Sequence, residues 1–277
     1  MEIRDFTFSQ NALQDFYDCR WRFKLRYIDH LAWPAAETDD QLLFEAHQQQ
    51  GNDLHRLIQQ MMAGVPEEIL RQAVADPQVQ MWWDAFRAGR DVLAPVFDDR
   101  SGIIRLAEHT LMGRLEDYRL VAKFDLLVIY PREKLWIFDW KTTRKPPRQN
   151  RLAVKMQTVL YPLVALQAGS QWNGGKAWQP EQIEMVYWMA ADPINPIHFP
   201  YHASQYQADR EQVAGLITEI VRLPEDGFTK TPDISHCRFC PYRSYCDRGV
   251  TPGPLTEMDD TEDDILSGLA DIVPIEE

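Results

Sequence analysis

The chain has 277 residues, 45% of them hydrophobic and 11% aromatic, and a formal net charge of −13. Such a composition belongs to a folded protein able to bury one good core, or one domain with a decorating subdomain. No apolar run approaches membrane-spanning length, and the net acidity is the wrong sign for attracting a polyanion to the whole surface.

The opening MEIRDFTFSQ carries no signal-peptide pattern, so a soluble, cytoplasmic protein is expected. A helix is predicted over 9–28. Ser9 is its N-cap, and Ala12, Phe16, Cys19 and Phe23 recur at helical spacing. Arg20, Arg22, Lys24 and Arg26 alternate along it with Trp21 and Tyr27 among them. That mixture suits either a solvated face or a single-stranded nucleic-acid surface. Residues 30–40 read as loop, 41–63 as a second helix and 66–94 as further helical stretches.

The texture changes near 103. Residues 103–111, 119–130 and 134–143 are strand-like, with the turn PREK making a hairpin of the last two. A helix over 151–168, a Gly- and Trp-rich loop, a strand over 181–190 and a helix over 204–222 follow. This order indicates an α/β core with a helical elaboration, 30–100, inserted before it. Beyond Arg248 there is no Lys or Arg, while nine acids lie between Glu257 and Glu277. Residues 249–277 are therefore expected to form a disordered acidic tail. Its short stripe of Ile265, Leu266, Leu269, Ile272 and Val273 offers a docking alternative.

The four cysteines of the chain form the first chemical constellation. Cys237, Cys240 and Cys246 make a C-x2-C-x5-C run, and Cys19 stands alone near the other end. Three thiolates on one short loop can fill three corners of a metal or cluster site, and Cys19 can fill the fourth. Spacing alone leaves zinc and an iron–sulfur cluster open. Such a site would clasp the two ends of the chain.

The second constellation is FDLLVIYPREKLWIFDWKTT. Asp139 and Lys141 are two apart on a strand and share one face; Trp140 takes the other. With a three-residue loop, Pro131–Glu133, Asp125 falls opposite Asp139. A four-residue loop would set it opposite Trp140. Two converging carboxylates repel each other, and a hard divalent cation such as Mg2+ or Mn2+ relieves that repulsion. A neighbouring lysine can then activate water for attack on phosphorus. No G-x4-G-K-S/T phosphate loop is present, so any helicase partner would be a separate protein.

Taken in order, these motifs resemble the RecB-like, iron–sulfur-bearing branch of the PD-(D/E)xK nuclease superfamily, similar to AddAB-type nuclease domains and CRISPR-adaptation exonucleases. The residues that carry the resemblance are Cys19, Gly51 with His55, Glu108, Asp125, Asp139 with Lys141, Gln157 with Tyr161, and Cys237, Cys240 and Cys246. The pattern covers roughly 9–248. Ala122-Lys123-Phe124-Asp125 departs from the commoner Gly-x-x-Asp form. The resemblance implies a restriction-endonuclease-like mixed sheet flanked by helices, with a 4Fe–4S cluster on the four cysteines. It also implies a metal held by Asp125, Asp139, His55 and the backbone carbonyl of Trp140. Lys141 would position the water, Glu108 would stand at the rim, and Gln157 and Tyr161 would face the active site or the DNA backbone. A nuclease domain over 1–248 acting on DNA is expected, as an exonuclease on single-stranded or end-opened substrate in repair or recombination. A CRISPR-adaptation nuclease and a non-catalytic cluster-bearing scaffold are the rivals. The run Lys141, Arg144, Lys145, Arg148, Arg151 and Lys155 would track a phosphate backbone out of the site.

Overall fold

A computed structural model of the chain describes residues 6–32, 39–251 and 253. The acidic tail expected beyond 249 therefore lies outside the described residues for nearly all its length.

The chain enters through β1 (Thr7–Ser9) and α1 (Gln10–Asp18), where the Ser9 hydroxyl accepts from the Ala12 N–H at 3.2 Å as the sequence predicts. The helix expected to continue to residue 28 is interrupted. Cys19 is extended, and α2 (Arg20–Phe23) begins afresh before a π-helical turn over Lys24–Ile28. The Trp21 N–H bonds the Thr229 carbonyl at 3.1 Å instead of continuing the helix, so the break is where the two ends of the chain meet. Next come α3 (Asp39–Met62), α4 (Glu67–Ala73), α5 (Pro77–Ala88) and α6 (Ala94–Phe97). Strands β2 (Ile104–Leu115), β3 (Tyr118–Tyr130) and β4 (Lys134–Lys141) form a meander. The remaining elements are α7 (Gln149–Leu152), α8 (Met156–Ala168), β5 (Ile183–Met189), β6 (Asp192–Pro200) and α9 (Ala203–Arg222). Strands β1 and β6 are additions to the sequence reading.

The six strands make one mixed sheet. β3 pairs antiparallel with β2 along nearly its whole length. On its other side it pairs with β1 in parallel at Arg119–Val121 and with β4 antiparallel at Leu126–Tyr130. β4 pairs with β5 in parallel, and β5 with β6 antiparallel. Alternation along β3 and β4 splits the core in two. Leu127, Ile129, Leu135 and Ile137 pack with α1, α8 and α9 on one face, whereas Leu126, Val128, Phe138 and Trp140 pack with α3 and α5 on the other. The helical segment expected as an elaboration is thus the second layer of the core. Strands apolar on both faces require such cover.

Helix α8 is buried all round from Met156 to Leu166, and it runs through Pro162 without a break. Two of the four basic residues near the N-terminus take no part in an open surface. Arg22 and Arg26 are each 1% exposed. Arg22 bonds Asp15 at 2.7 Å and Asp18 at 2.8 Å, and Arg26 bonds Asp15 at 2.7 Å. Lys24 pairs with Asp29, and Arg20 with Glu219. The reading of this run as a nucleic-acid surface is corrected: a buried guanidinium must be paired, so two of the four cations belong to the core. No described helix is long and apolar enough to cross a membrane.

Candidate active site

The β3–β4 connection is the three-residue loop Pro131–Glu133, with Tyr130 opposite Lys134 and Leu126 opposite Phe138. Continued one step, that register sets Asp125 across from Asp139. The same reasoning on β2 places Glu108 across from Asp125, between the pairs Ala107–Leu126 and His109–Phe124. Three carboxylates therefore occupy neighbouring positions on three adjacent strands. Glu108 has φ 51°, a left-handed conformation that a residue with a Cβ adopts at a cost. Such strain persists where the surroundings over-determine it, typically at functional sites.

Past Leu126 and Phe138 the β3–β4 ladder opens, and side chains take over its hydrogen bonds. The Trp140 N–H donates to Asp125 Oδ2 at 2.9 Å. From the α3 side, His55 Nε2 donates to the Trp140 carbonyl at 3.0 Å. This fixes the ring and turns Nδ1 toward Asp125 Oδ2 (3.5 Å) and Glu108 Oε1 (3.9 Å). Gly51, one turn before His55, permits this approach. A Cβ there would stand 3.0 Å from Thr142 Oγ1. Burial lowers the basicity of His55, but the Asp125 and Glu108 carboxylates outweigh it and hold the imidazole well above its ordinary pKa. Burial likewise opposes the charge of Asp125, yet His55 and the Trp140 N–H keep it below the usual carboxylate range.

His55, Glu108 and Asp125 each offer one ligand atom within 4.8 Å of the others, and no second set of three His, Cys, Asp or Glu residues does so among the described residues. Two oxygens and one imidazole nitrogen suit a divalent cation such as Mg2+ or Mn2+. The imidazole N–H bonded to a backbone carbonyl is the usual support for a metal-binding histidine. Asp139 stands beside this set and is 2% exposed. Lys141 Nζ lies 3.0 Å from its Oδ1, and Gln157 Nε2 donates to its Oδ2 at 2.5 Å. Tyr161 is farther back, its ring 4.9 Å from that of Phe124 in the core.

Two residues went unnoticed in the sequence. Lys123 pairs with Glu108 at 3.0 Å, and the Tyr187 hydroxyl meets Gln157 Oε1 at 3.4 Å and Thr158 Oγ1 at 2.8 Å. Lys123 lies in the stretch already marked as departing from the usual form. Tyr187 is hidden in the apolar run of β5, where only its hydroxyl signals a polar neighbour. The basic run after Lys141 divides. Lys141 and Lys155 are buried, whereas Arg144, Lys145, Arg148 and Arg151 are exposed.

Away from the acids, where the two ends of the chain meet, Cys19, Cys237, Cys240 and Cys246 line a single cavity with Arg22, Leu25 and Tyr242. All four are free thiols. Burial pushes Cys240 up to about 11 and raises Cys237 and Cys246. No three of their sulfurs lie within 4.8 Å of one another.

The profile of the PD-(D/E)XK nuclease superfamily matches residues 7–247, and the chain belongs to that superfamily. Among solved structures, the crystal structure of SSO0001 is similar over 87% of this chain and 85% of its own, with 11% identity and a TM-score of 0.40. A candidate exonuclease from Eubacterium rectale is similar over 78% of this chain and 81% of its own, with 10% identity and a TM-score of 0.46. None of the curated proteins compared with the chain matches it.

Proposed function

We propose that this nuclease is a divalent-metal-dependent DNA exonuclease acting on single-stranded or end-opened DNA in repair or recombination, with a 4Fe–4S cluster on its four cysteines. The observation that carries the metal-dependent reading is the convergence of His55, Glu108 and Asp125 beside the buried Asp139–Lys141 pair. His55, Glu108, Asp125 and Asp139 would hold the metal, which supplies Lewis acidity and lowers the pKa of bound water. Trp140 serves through its backbone, bonding Asp125 with its N–H and His55 with its carbonyl. Lys141 orients the attacking water and faces the charge that develops on the phosphate. Gln157 holds the Asp139 carboxylate in place.

Exposed Arg144, Lys145, Arg148 and Arg151 follow β4 directly and offer a path for a phosphate backbone. The exonuclease preference rests on the resemblance to the RecB-like branch. For the cluster, support comes from four free thiols around one cavity, in the order of the resemblance. The intact Asp125, Asp139 and Lys141 set speaks against a non-catalytic scaffold.

The test is a nuclease assay with Mg2+ or Mn2+ titrated in, on end-labelled single-stranded, blunt and circular DNA, with Asp139→Ala as control. Metal-dependent cleavage of linear single strands, lost in the variant, is expected. Cleavage of circles would overturn the exonuclease reading, and metal-independent cleavage the metal reading. Protein purified without oxygen should be brown; colourless protein with stoichiometric zinc would reject the cluster.

A further inference from the structure

Helix α8 begins at Met156, and the first N–H groups of a helix need partners from elsewhere. Lys155, at its N-cap, gives none from its side chain. The partner comes from α1. Gln14 Oε1 accepts from the Met156 N–H at 3.0 Å, a contact between residues 142 positions apart. The other end of the same carboxamide is also committed, Nε2 donating to Asp18 Oδ1 at 2.9 Å. Each end has only one chemically suitable partner, so the amide cannot flip without losing both bonds. Asp18 Oδ2 takes Arg22 Nη2 at 2.8 Å, and Arg22 lines the cysteine cavity. In the other direction, Gln157 follows Met156 and donates to Asp139. Cysteine corner, Arg22, Asp18, Gln14, the first turn of α8, Gln157 and Asp139 thus form one continuous series of buried contacts.

We propose that Gln14 is a positioning residue: it sets the first turn of α8 so that Gln157 meets Asp139, and it ties that turn to the cysteine corner. The inference rests on Asp139 belonging to the metal site. Gln14 touches neither metal nor substrate, and acts only through α8.

The experiment uses the full chain as purified. Its readouts are Mn2+ titrated alone, amide exchange of the 153–160 segment, and single-turnover cleavage of a single-stranded oligonucleotide. Losing both buried hydrogen bonds of Gln14, and with them the partner of the Met156 N–H, should make Gln14→Leu bind Mn2+ and cleave about tenfold more poorly. The 153–160 amides should exchange faster in that variant while the β5 amides stay protected. Gln14→Glu keeps an acceptor for the Met156 N–H, and a proton shared with Asp18 replaces the Nε2 donor, so its exchange at 153–160 and its Mn2+ affinity should stay near those of the unmodified chain. Adding Gln14→Leu to Gln157→Leu should cost no further Mn2+ affinity. The proposal is overturned if Gln14→Leu leaves affinity and exchange unchanged, or if the two losses multiply. Should Gln14→Leu fail to fold, Gln14→Asn decides. Its shorter amide cannot span both partners and should behave worse than Gln14→Glu; equal behaviour overturns the proposal. Should the unmodified chain not cleave, the nuclease reading fails, whereas exchange at 153–160 still decides the role of Gln14.

Discussion

At the carboxylate end of the sheet, every charge meets a partner supplied by the fold. His55 faces Asp125 and Glu108, Lys123 meets Glu108, and Lys141 and Gln157 hold Asp139. At the cysteine corner, by contrast, Arg22 is already neutralised by Asp15 and Asp18, and Cys240 stands beside it as a buried thiol whose ionisation burial opposes. The backbone differs in the same way. The acids sit on paired strands and a long helix, while the cysteine run occupies turns around a small apolar cluster of Leu25, Cys240 and Tyr242. The first region can hold its geometry with its own hydrogen bonds. The second is held by side chains bonded to backbone carbonyls, Arg243 to Val250 and Tyr242 to Leu31 among them, and it leaves four thiols around one cavity.

The largest expected effect is at Asp139. Asp139→Asn should lower cleavage by roughly 10³-fold, as loss of several kcal/mol of metal-borne stabilisation requires. Visible absorbance from the cysteine corner should be untouched. A parallel loss of colour would mean that the two regions are not separable.

Cys240→Ala tests the cysteine corner. A plain buried thiol should cost about 1 kcal/mol, whereas loss of a clasp should cost several. Thermal unfolding decides, and a drop in Tm of only ~3 °C would favour the plain thiol. Next comes Asp15→Ala, which leaves Arg22 and Arg26 with an uncompensated buried charge. It should destabilise by about 3–5 kcal/mol, while the exposed Arg20→Ala should cost under about 1 kcal/mol. Similar values in denaturant titrations would contradict the burial of this network.

The effect of pH follows from His55. Its folded pKa is raised, so in metal-free protein its stabilising contribution is complete below the unfolded value of about 6.5 and is lost as pH rises through the folded value. Metal needs the neutral ring, so Mn2+ affinity should climb over the same rise while metal-free stability falls. His55→Gln should flatten both curves. The smallest effect belongs to the exposed cations. Replacing Arg144 and Arg148 by Gln should weaken single-strand binding and reduce its salt slope by up to ~0.7 per lost phosphate contact. An unchanged slope would place the DNA elsewhere.

Much of this was legible in the residues. The PREK turn and the alternation of FDLLVIY against KLWIFDW already confined Asp125 to one of two registers, because a one-residue slip moves every apolar side chain to the wrong face. Ser9 announced a helix start, and the cysteine spacing announced a shared corner. Arg22 and Arg26 were misleading. A basic residue four positions from an acid reads as a surface pair until its neighbours bury it, and burial is not encoded in spacing. Strand β6 was missed because Asp192–Pro200 contains three prolines and faces solvent along much of its length, as an edge strand can.

Local chemistry along the chain therefore determined most of the elements, the shared face of Asp139 and Lys141, and that acids, lysine and cysteines are present in a nuclease order. Only the tertiary structure decided which of them meet. The left-handed turn of Glu108 toward Asp125, the His55 ring locked by the Trp140 carbonyl, and Gln14 reaching Met156 are all contacts between distant segments. The last two depend on the angle at which a helix packs on its neighbours. That angle is set by side-chain volumes summed over two apolar layers, and no short stretch of sequence contains that sum.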